Sequence, residues 1–202
     1  ALLEVAESQG AVVYLDDAHG AFVLGPHGRG APEAAGVSHE RLLYMGTLGK
    51  ALGCQGGFVV GPRTLIQFLH NRARTFIYTT ALATPVAAAA VEALQLVQDH
   101  AERRARLQAR ATRLSTALAS RLGTPHAPAS HIVSVMVGRT RRALDLAECL
   151  WKQGMWAPAI RPPTVPEGTA RVRLSVTAFH TESQIDALAE VLHHALAEVA
   201  IA

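Results

Sequence analysis

Hydrophobic positions run unbroken over short stretches in the first half of the chain and fall into spaced, helical patterns in the second. "AVVYLDD", "RLLYMGT" and "GGFVVG" are apolar on successive residues, as strands covered on both faces of a parallel sheet are. Ahead of them, "LLEVAESQG" has the pattern of the last turns of a helix stopped at Gly10, where glycine takes a left-handed conformation without steric cost. A chain that opens on the tail of a crossover helix implies an earlier strand, so we expect the later portion of a larger protein. Helical spacing follows over about 62–73 and about 84–121, with room for a break near Asp99 and His100.

Beyond that point the character changes. Strand "HIVSVMVG", helix "RRALDLAECLWKQG", a short strand near 155–160, strand "ARVRLSV" and an amphipathic helix from Thr181 to about Val199 form an α+β unit. The expected class is α/β: residues 1–98 are part of a large domain with a mostly parallel sheet, and residues 99–202 are a C-terminal α+β small domain.

Composition narrows the function. With 202 residues, half of them hydrophobic, the chain can bury a sizeable core. The arginines concentrate in "ERRARLQARATRL" and "GRTRRALD", which a solvated helix face explains better than a nucleic-acid surface. Cys54 and Cys149 have no zinc or CxxC spacing, so we expect free thiols, a reducing compartment and a cytoplasmic location. The most apolar run, "TTALATPVAAAAVEALQLV", contains Pro85 and Glu92 and suggests a buried helix rather than a membrane span. No basic segment followed by an apolar one marks a signal peptide.

Only two of the 19 Lys and Arg residues are lysines, Lys50 and Lys152. A chain that uses arginine for generic positive charge wants Lys50, set in the glycine-rich "LYMGTLGKALG", as an amine. The phosphate-binding loop G-x-x-x-x-G-K-[ST] does not fit, because Tyr44 stands at its first glycine and Ala51 at its hydroxyl. What remains is Thr47 three residues before a lysine, with Gly46, Gly49 and Gly53 allowing close approach. A hydroxyl and bare amides suit a phosphate, and a confined amine suits a Schiff base. "LDDAHG" places Asp16, Asp17 and His19 where an α/β sheet binds ligands, at the C-terminal end of a strand. Turn spacing lets Asp16 and His19 face one ligand while Asp17 points elsewhere. An Asp-rich turn with a backbone-bonded histidine is an equal alternative; a metal site lacks a third ligand.

Pyridoxal 5'-phosphate (PLP) needs these groups together: an amine, an anion at the ring nitrogen, a donor at the phenolic oxygen, and hydroxyls and amides around the phosphate. A carboxylate beside the pyridine nitrogen favours the protonated ring, each pKa unit being worth about 1.4 kcal/mol.

"LDDAHGAFVLGPHGRG", "GTLGKALGCQGGFVVG", "NRARTFIYTTALATPVAAAA" and "IRPPTVPEGTARVRLSVTAFHT" resemble, in order, segments of the α-oxoamine synthases, a family of fold-type I PLP-dependent transferases. The resemblance implies that Lys50 carries the cofactor as an aldimine and shuttles the α-proton, that Asp16 pairs with the ring nitrogen, and that His19 bonds the phenolic oxygen. It also implies phosphate contacts from Thr47 and, across a homodimer, from Thr79 and Thr80, with Arg161 on the amino acid's carboxylate. "DDAHG" and "IRPPTVP" are most similar to the branch that joins L-alanine to an acyl thioester. Two departures stand out: Phe22 replaces the usual glycine of "DDAHGxG", and the family's earlier segments have no counterpart here. The residues are thus compatible with such a synthase or its catalytic-lysine half, with a related α-oxoamine synthase such as a glycine C-acetyltransferase, and with a truncated fragment that binds without catalysing. Elsewhere, His193 and His194 are expected on a helix surface, Trp151 and Trp156 in packing, and Thr181 or Ser183 capping the last helix, with His180 given no catalytic part. Pro162, Pro163 and Pro166 are expected to stiffen an extended segment beside Arg161.

Overall fold

The computed structural model describes residues 1–38, 40–122 and 130–201. The chain forms two compact units, Ala1–Arg104 and Ala105–Ala202. The first contains α1 (Leu2–Ser8), β1 (Val13–Asp16), α2 (Ala31–Ala34), β2 (Leu42–Thr47), β3 (Gly57–Val60), α3 (Arg63–Arg72), α4 (Arg74–Ile77) and α5 (Thr84–Asp99). The long helix α6 (Ala101–Leu122) starts in the first unit and continues in the second, which adds β4 (Ile132–Gly138), α7 (Thr140–Lys152), β5 (Ala159–Ile160), β6 (Ala170–Ser175) and α8 (Glu182–Ile201).

In the first unit the three strands lie in the order β1-β2-β3. β1 runs parallel to β2, with Asp16 opposite Met45. β3 is antiparallel to β2, against the expectation of a parallel strand. The connection explains it: residues 48–56 form a tight turn, far shorter than the dozen or more residues a parallel crossover needs. α1 ends as the sequence suggests, with Gly10 at φ +63° and the Ala11 N–H closing on Ala6 O at 2.7 Å.

Burial departs from expectation in this unit. Tyr14 of β1 is 57% exposed, and no residue of α5 is buried, although both segments were expected inside. Alanine explains how α5 forms regardless, since its helix propensity does not depend on packing. No described helix is long and apolar enough to cross a membrane.

The main core lies in the second unit. The order of its sheet is β4-β6-β5, antiparallel throughout. Val133 and Val135 of β4 alternate with Val172 and Leu174 of β6 to give one apolar face, onto which α6, α7 and α8 pack Leu114, Leu118, Leu146, Leu150, Ile185 and Leu192. α8 is capped by a reciprocal pair: Gln184 N–H donates to Thr181 Oγ1 (3.1 Å) and Thr181 N–H to Gln184 Oε1 (2.9 Å). The arginines of α6 are more than a solvated face. Arg113 grips Asp186 with two 2.7 Å hydrogen bonds and reaches Glu182 at 3.1 Å, while Arg110 bonds Glu182 at 3.0 Å. The Arg113 hydrogen bonds and charge hold the Asp186 carboxyl below its usual range.

Trp151 and Trp156 meet edge to face at 6.4 Å but are 66% and 82% exposed, so neither is core packing. Pro162–Pro163 is cis, and Thr164 N–H bonds Arg161 O at 3.0 Å, making a turn where an extended segment was expected. His193 and His194 are exposed on α8, and both cysteines are free thiols, as expected.

Because Leu146 is fully buried while Val91 on α5 is 71% exposed, Leu146→Ala is expected to cost about 2–5 kcal/mol of second-unit stability. Val91→Ala is expected to stay within about 0.5 kcal/mol. Urea denaturation of both variants checks the contrast.

Candidate functional site

Parallel strands deliver their exits to the same sheet edge. β1 ends at Asp16 and β2 at Thr47, so the loop carrying His19 and the turn carrying Lys50 leave side by side. The register places Asp16 one strand over and two residues back from Thr47, roughly 8 Å between Cα atoms from standard sheet spacings. Alternation assigns the faces. Asp16, registered with Met45, shares a face with Thr47; Leu15, Tyr44, Gly46, Phe58 and Val60 occupy the other.

The lysine turn is closed by its own backbone. Leu48 N–H bonds Gly56 O (2.9 Å), Cys54 N–H bonds Leu48 O (2.8 Å), and Gly53 N–H bonds Lys50 O (3.1 Å). Thr47 Oγ1 accepts the Gly49 N–H (3.1 Å) and donates to Gly56 O (3.1 Å), so its proton is committed within the turn. Lys50 is exposed at the tip. Gly56 sits at φ +116°, and a Cβ there would come within 2.9 Å of a Leu82 methyl. The loop between α4 and α5 therefore lies against the lysine turn and brings along Thr79 and Thr80, both exposed; the Thr79 hydroxyl donates to Thr75 O. Arg161 is exposed and belongs to the second unit.

Asp16 is exposed, and among the described residues the one hydrogen bond of its side chain is from the Ala18 N–H to Oδ1 (3.0 Å). Asp17 behaves oppositely. It is 7% exposed, and its Oδ2 accepts both the Tyr44 hydroxyl (2.9 Å) and the Ala31 N–H (2.7 Å). Burial, reinforced by the Asp17 hydrogen bond and charge, pushes the Tyr44 phenol well above its ordinary range. The loop from Asp17 to α2 is built around this carboxylate: Gly20 N–H and Ala21 N–H bond Asp17 O at 3.0 and 2.8 Å, and a Cβ on Gly20 or Gly30 would collide with its oxygens. Glu33 organises the next stretch, accepting N–H bonds from His27 (3.1 Å) and Arg29 (2.9 Å) and meeting the His27 ring at 2.7 Å. Burial opposes the Glu33 charge, but these hydrogen bonds prevail and lower its pKa.

Phe22 resolves one departure noted in the sequence. Its φ is +67°, a conformation natural to the glycine it replaces. A left-handed phenylalanine costs about 1–2 kcal/mol. Its ring packs on Phe58 at 5.7 Å, a contact worth about 0.5–1.5 kcal/mol, so the loop accepts the residue at near balance. Phe22, Tyr44 and Phe58 line a cavity of about 550 Å³ on the face opposite Asp16.

Neither Asp17 nor Tyr44 stood out as functional in the sequence, where nothing pairs residues so far apart. Arg173 was passed over too, although alternation in "ARVRLSV" places it opposite buried Val172 and Leu174. Its Nε is buried without a partner among the described residues, a donor that an anionic group would satisfy.

The aminotransferase class I and II family model matches residues 1–192. Curated relatives include the 8-amino-7-oxononanoate synthases of Chromobacterium violaceum, 48% identical over 194 residues, and Anaeromyxobacter dehalogenans, 47% identical over 196 residues. Each alignment covers 95% of this chain, against 50% of the first relative and 49% of the second; the chain spans about half their length. Among solved structures, a serine palmitoyltransferase from S. paucimobilis with a bound PLP–myriocin aldimine superposes with a TM-score of 0.91 at 31% identity, over 100% of this chain and 51% of that one. An 8-amino-7-oxononanoate synthase from Francisella tularensis gives 0.83 at 27% identity, over 98% and 58%.

Two glycines in left-handed conformations separate crowding from strain: Gly30 abuts Asp17 and Tyr44, whereas Gly36 faces open space. Gly36→Ala is expected to cost about 1 kcal/mol, and Gly30→Ala at least about 2 kcal/mol through the displaced buried carboxylate, both read by denaturant titration. For Tyr44, the sign follows from its raised pKa: the contribution to stability is complete below the unfolded phenol value of about 10 and is lost as pH rises beyond it. The stability advantage of the parent chain over Tyr44→Phe should therefore be largest below about pH 10 and shrink above it, as read by denaturant titration across that range.

Proposed function

This chain belongs to the aminotransferase class I and II family, and from that premise we propose that it carries the lysine-bearing part of a PLP-dependent acyltransferase, an 8-amino-7-oxononanoate synthase. The proposed reaction joins L-alanine to pimeloyl-CoA or a pimeloyl-carrier protein. A bond forms between the alanine α-carbon and the thioester carbonyl, the thiol departs, and the alanine carboxylate leaves as carbon dioxide. The observation that carries this reading is the shared exit of β1 and β2, with Asp16 and Thr47 on one face and Lys50 at the tip of the adjoining turn.

The residues fit the cofactor. Asp16 Oδ2 has no hydrogen-bond partner among the described residues and suits a protonated pyridine nitrogen. The glycine-rich turn admits a planar ring close to the backbone. When bound, PLP supplies the electron sink that stabilises negative charge at the amino acid's α-carbon.

The chain's own groups would do the rest. Lys50 holds the cofactor aldehyde and, once released, moves the α-proton as a neutral amine. His19 donates to the phenolic oxygen. Phosphate contacts fall to Thr47, whose hydroxyl would turn its proton from Gly56 O to the anion, and to Thr79 and Thr80 of a neighbouring subunit in a cytoplasmic homodimer. Arg161 is the candidate for the substrate carboxylate, which suits a planar fork of donors, and Arg173 is the second.

A second reading, binding without turnover in this chain, is favoured by the exposed apolar side chains of the first unit, Tyr14, Val60, Phe68 and Phe76 among them. The purified chain distinguishes them. PLP is expected to give a visible absorbance that Lys50→Ala abolishes, while Asp16→Asn keeps binding and lowers carbon dioxide release from alanine and pimeloyl-CoA at least about 100-fold. Absorbance without carbon dioxide release favours the second reading. Absorbance that survives in Lys50→Ala refutes both.

A further inference from the structure

We propose that Asp17 is the positioning residue of this site: its buried carboxylate, bonded to the Tyr44 hydroxyl and the Ala31 amide, latches the loop that carries Asp16 and His19 to the strand that carries the Lys50 turn. Its bearing on the cofactor rests on the function proposed above; the latch itself does not.

Three observations support it. First, a carboxylate 7% exposed is costly unless fully bonded, and an apolar residue would fill the place at lower cost. Second, the bonds connect separate elements. Tyr44 lies on β2, three residues before Thr47, and Ala31 begins α2, so one oxygen ties together β2 and both ends of the 17–31 loop. The backbone adds a third tie on the same strand, Asp17 N–H to Met45 O at 2.9 Å. Third, the loop is shaped around the carboxylate, because Gly20 and Gly30 have no room for a side chain beside it.

Geometry then separates the two neighbouring aspartates by role. Asp16 and Asp17 are adjacent, so they project to opposite faces. Asp16 is exposed with Oδ2 unpartnered among the described residues, while Asp17 is spent on structure. A shift of Asp17 carries Asp16 with it, and His19 two residues on. Asp17 touches no reacting group; it acts through those two.

Hydrogen exchange of the chain without PLP provides the test. Asp17→Ala is expected to speed exchange of the amides from 18 to 31 at least about tenfold, the loss of charge-assisted hydrogen bonds, with β4 and β6 amides unchanged. Asp17→Asn should restore most of the protection, since an amide oxygen accepts the same two donors. With PLP, affinity should fall in Asp17→Ala and recover in Asp17→Asn, with Lys50 still required for the absorbance. Unchanged exchange over 18–31, an equal rise in β4 and β6, or no rescue by asparagine overturns the latch. If Asp17→Ala does not fold, Tyr44→Phe decides: it keeps the ring against Phe58 and removes one donor, and should raise exchange in the same amides a few-fold, no rise being a refutation. Should the parent chain give no Lys50-dependent absorbance, the proposed function fails while the exchange result still stands or falls by itself. PLP affinity equal in the parent and in a folded Asp17→Ala refutes the positioning role even where the loop loosens.

Discussion

Two strands that run the same way must release their chains at the same end, and the candidate chemistry of this protein depends on that constraint. β1 and β2 pair in parallel with Asp16 opposite Met45, so residues distant in sequence leave the sheet as neighbours. Had the pair been antiparallel, the His19 loop and the Lys50 turn would have left from opposite ends. The Asp17 carboxylate and its bonds to Tyr44 and Ala31 add a second attachment across the same strands, on the face away from Asp16.

The sheet divides its labour by face. One side carries Asp16 and Thr47; the other carries Asp17, Tyr44 and Phe58, which pack and bond. Phe22 shows how closely such a loop is balanced. It holds a glycine's conformation, and the aromatic contact with Phe58 offsets a strain of similar size.

The two units differ in how much each buries. Unit two has a continuous core from α6 to α8, whereas the first keeps large apolar side chains such as Tyr14, Phe68 and Phe76 more than half exposed. The curated relatives are about twice as long as this chain. Within the second unit the bidentate grip of Arg113 on Asp186 joins α6 to α8, and with Arg110 and Glu182 it forms a network, the arrangement in which surface ion pairs contribute most.

Composition and local pattern determined a good deal. The rarity of lysine marked Lys50, the spacing of Asp16 and His19 marked a loop after a strand, and periodicity marked the elements of the second unit and the stop at Gly10, because these features depend on near neighbours in the chain. Short apolar runs do not distinguish a parallel strand from an antiparallel one, so they point to a parallel β3 where the strand is antiparallel; only the length of the 48–56 connection carries that information. Apolar composition likewise did not decide burial in α5 or at Trp151 and Trp156, since burial depends on what lies opposite. The tertiary structure alone decided that Asp17 faces Tyr44, that the Thr47 proton is committed to Gly56, and that the Arg173 Nε is buried without a partner among the described residues. Each is a contact between residues whose distance in space is set by strand register and packing, which no local pattern encodes.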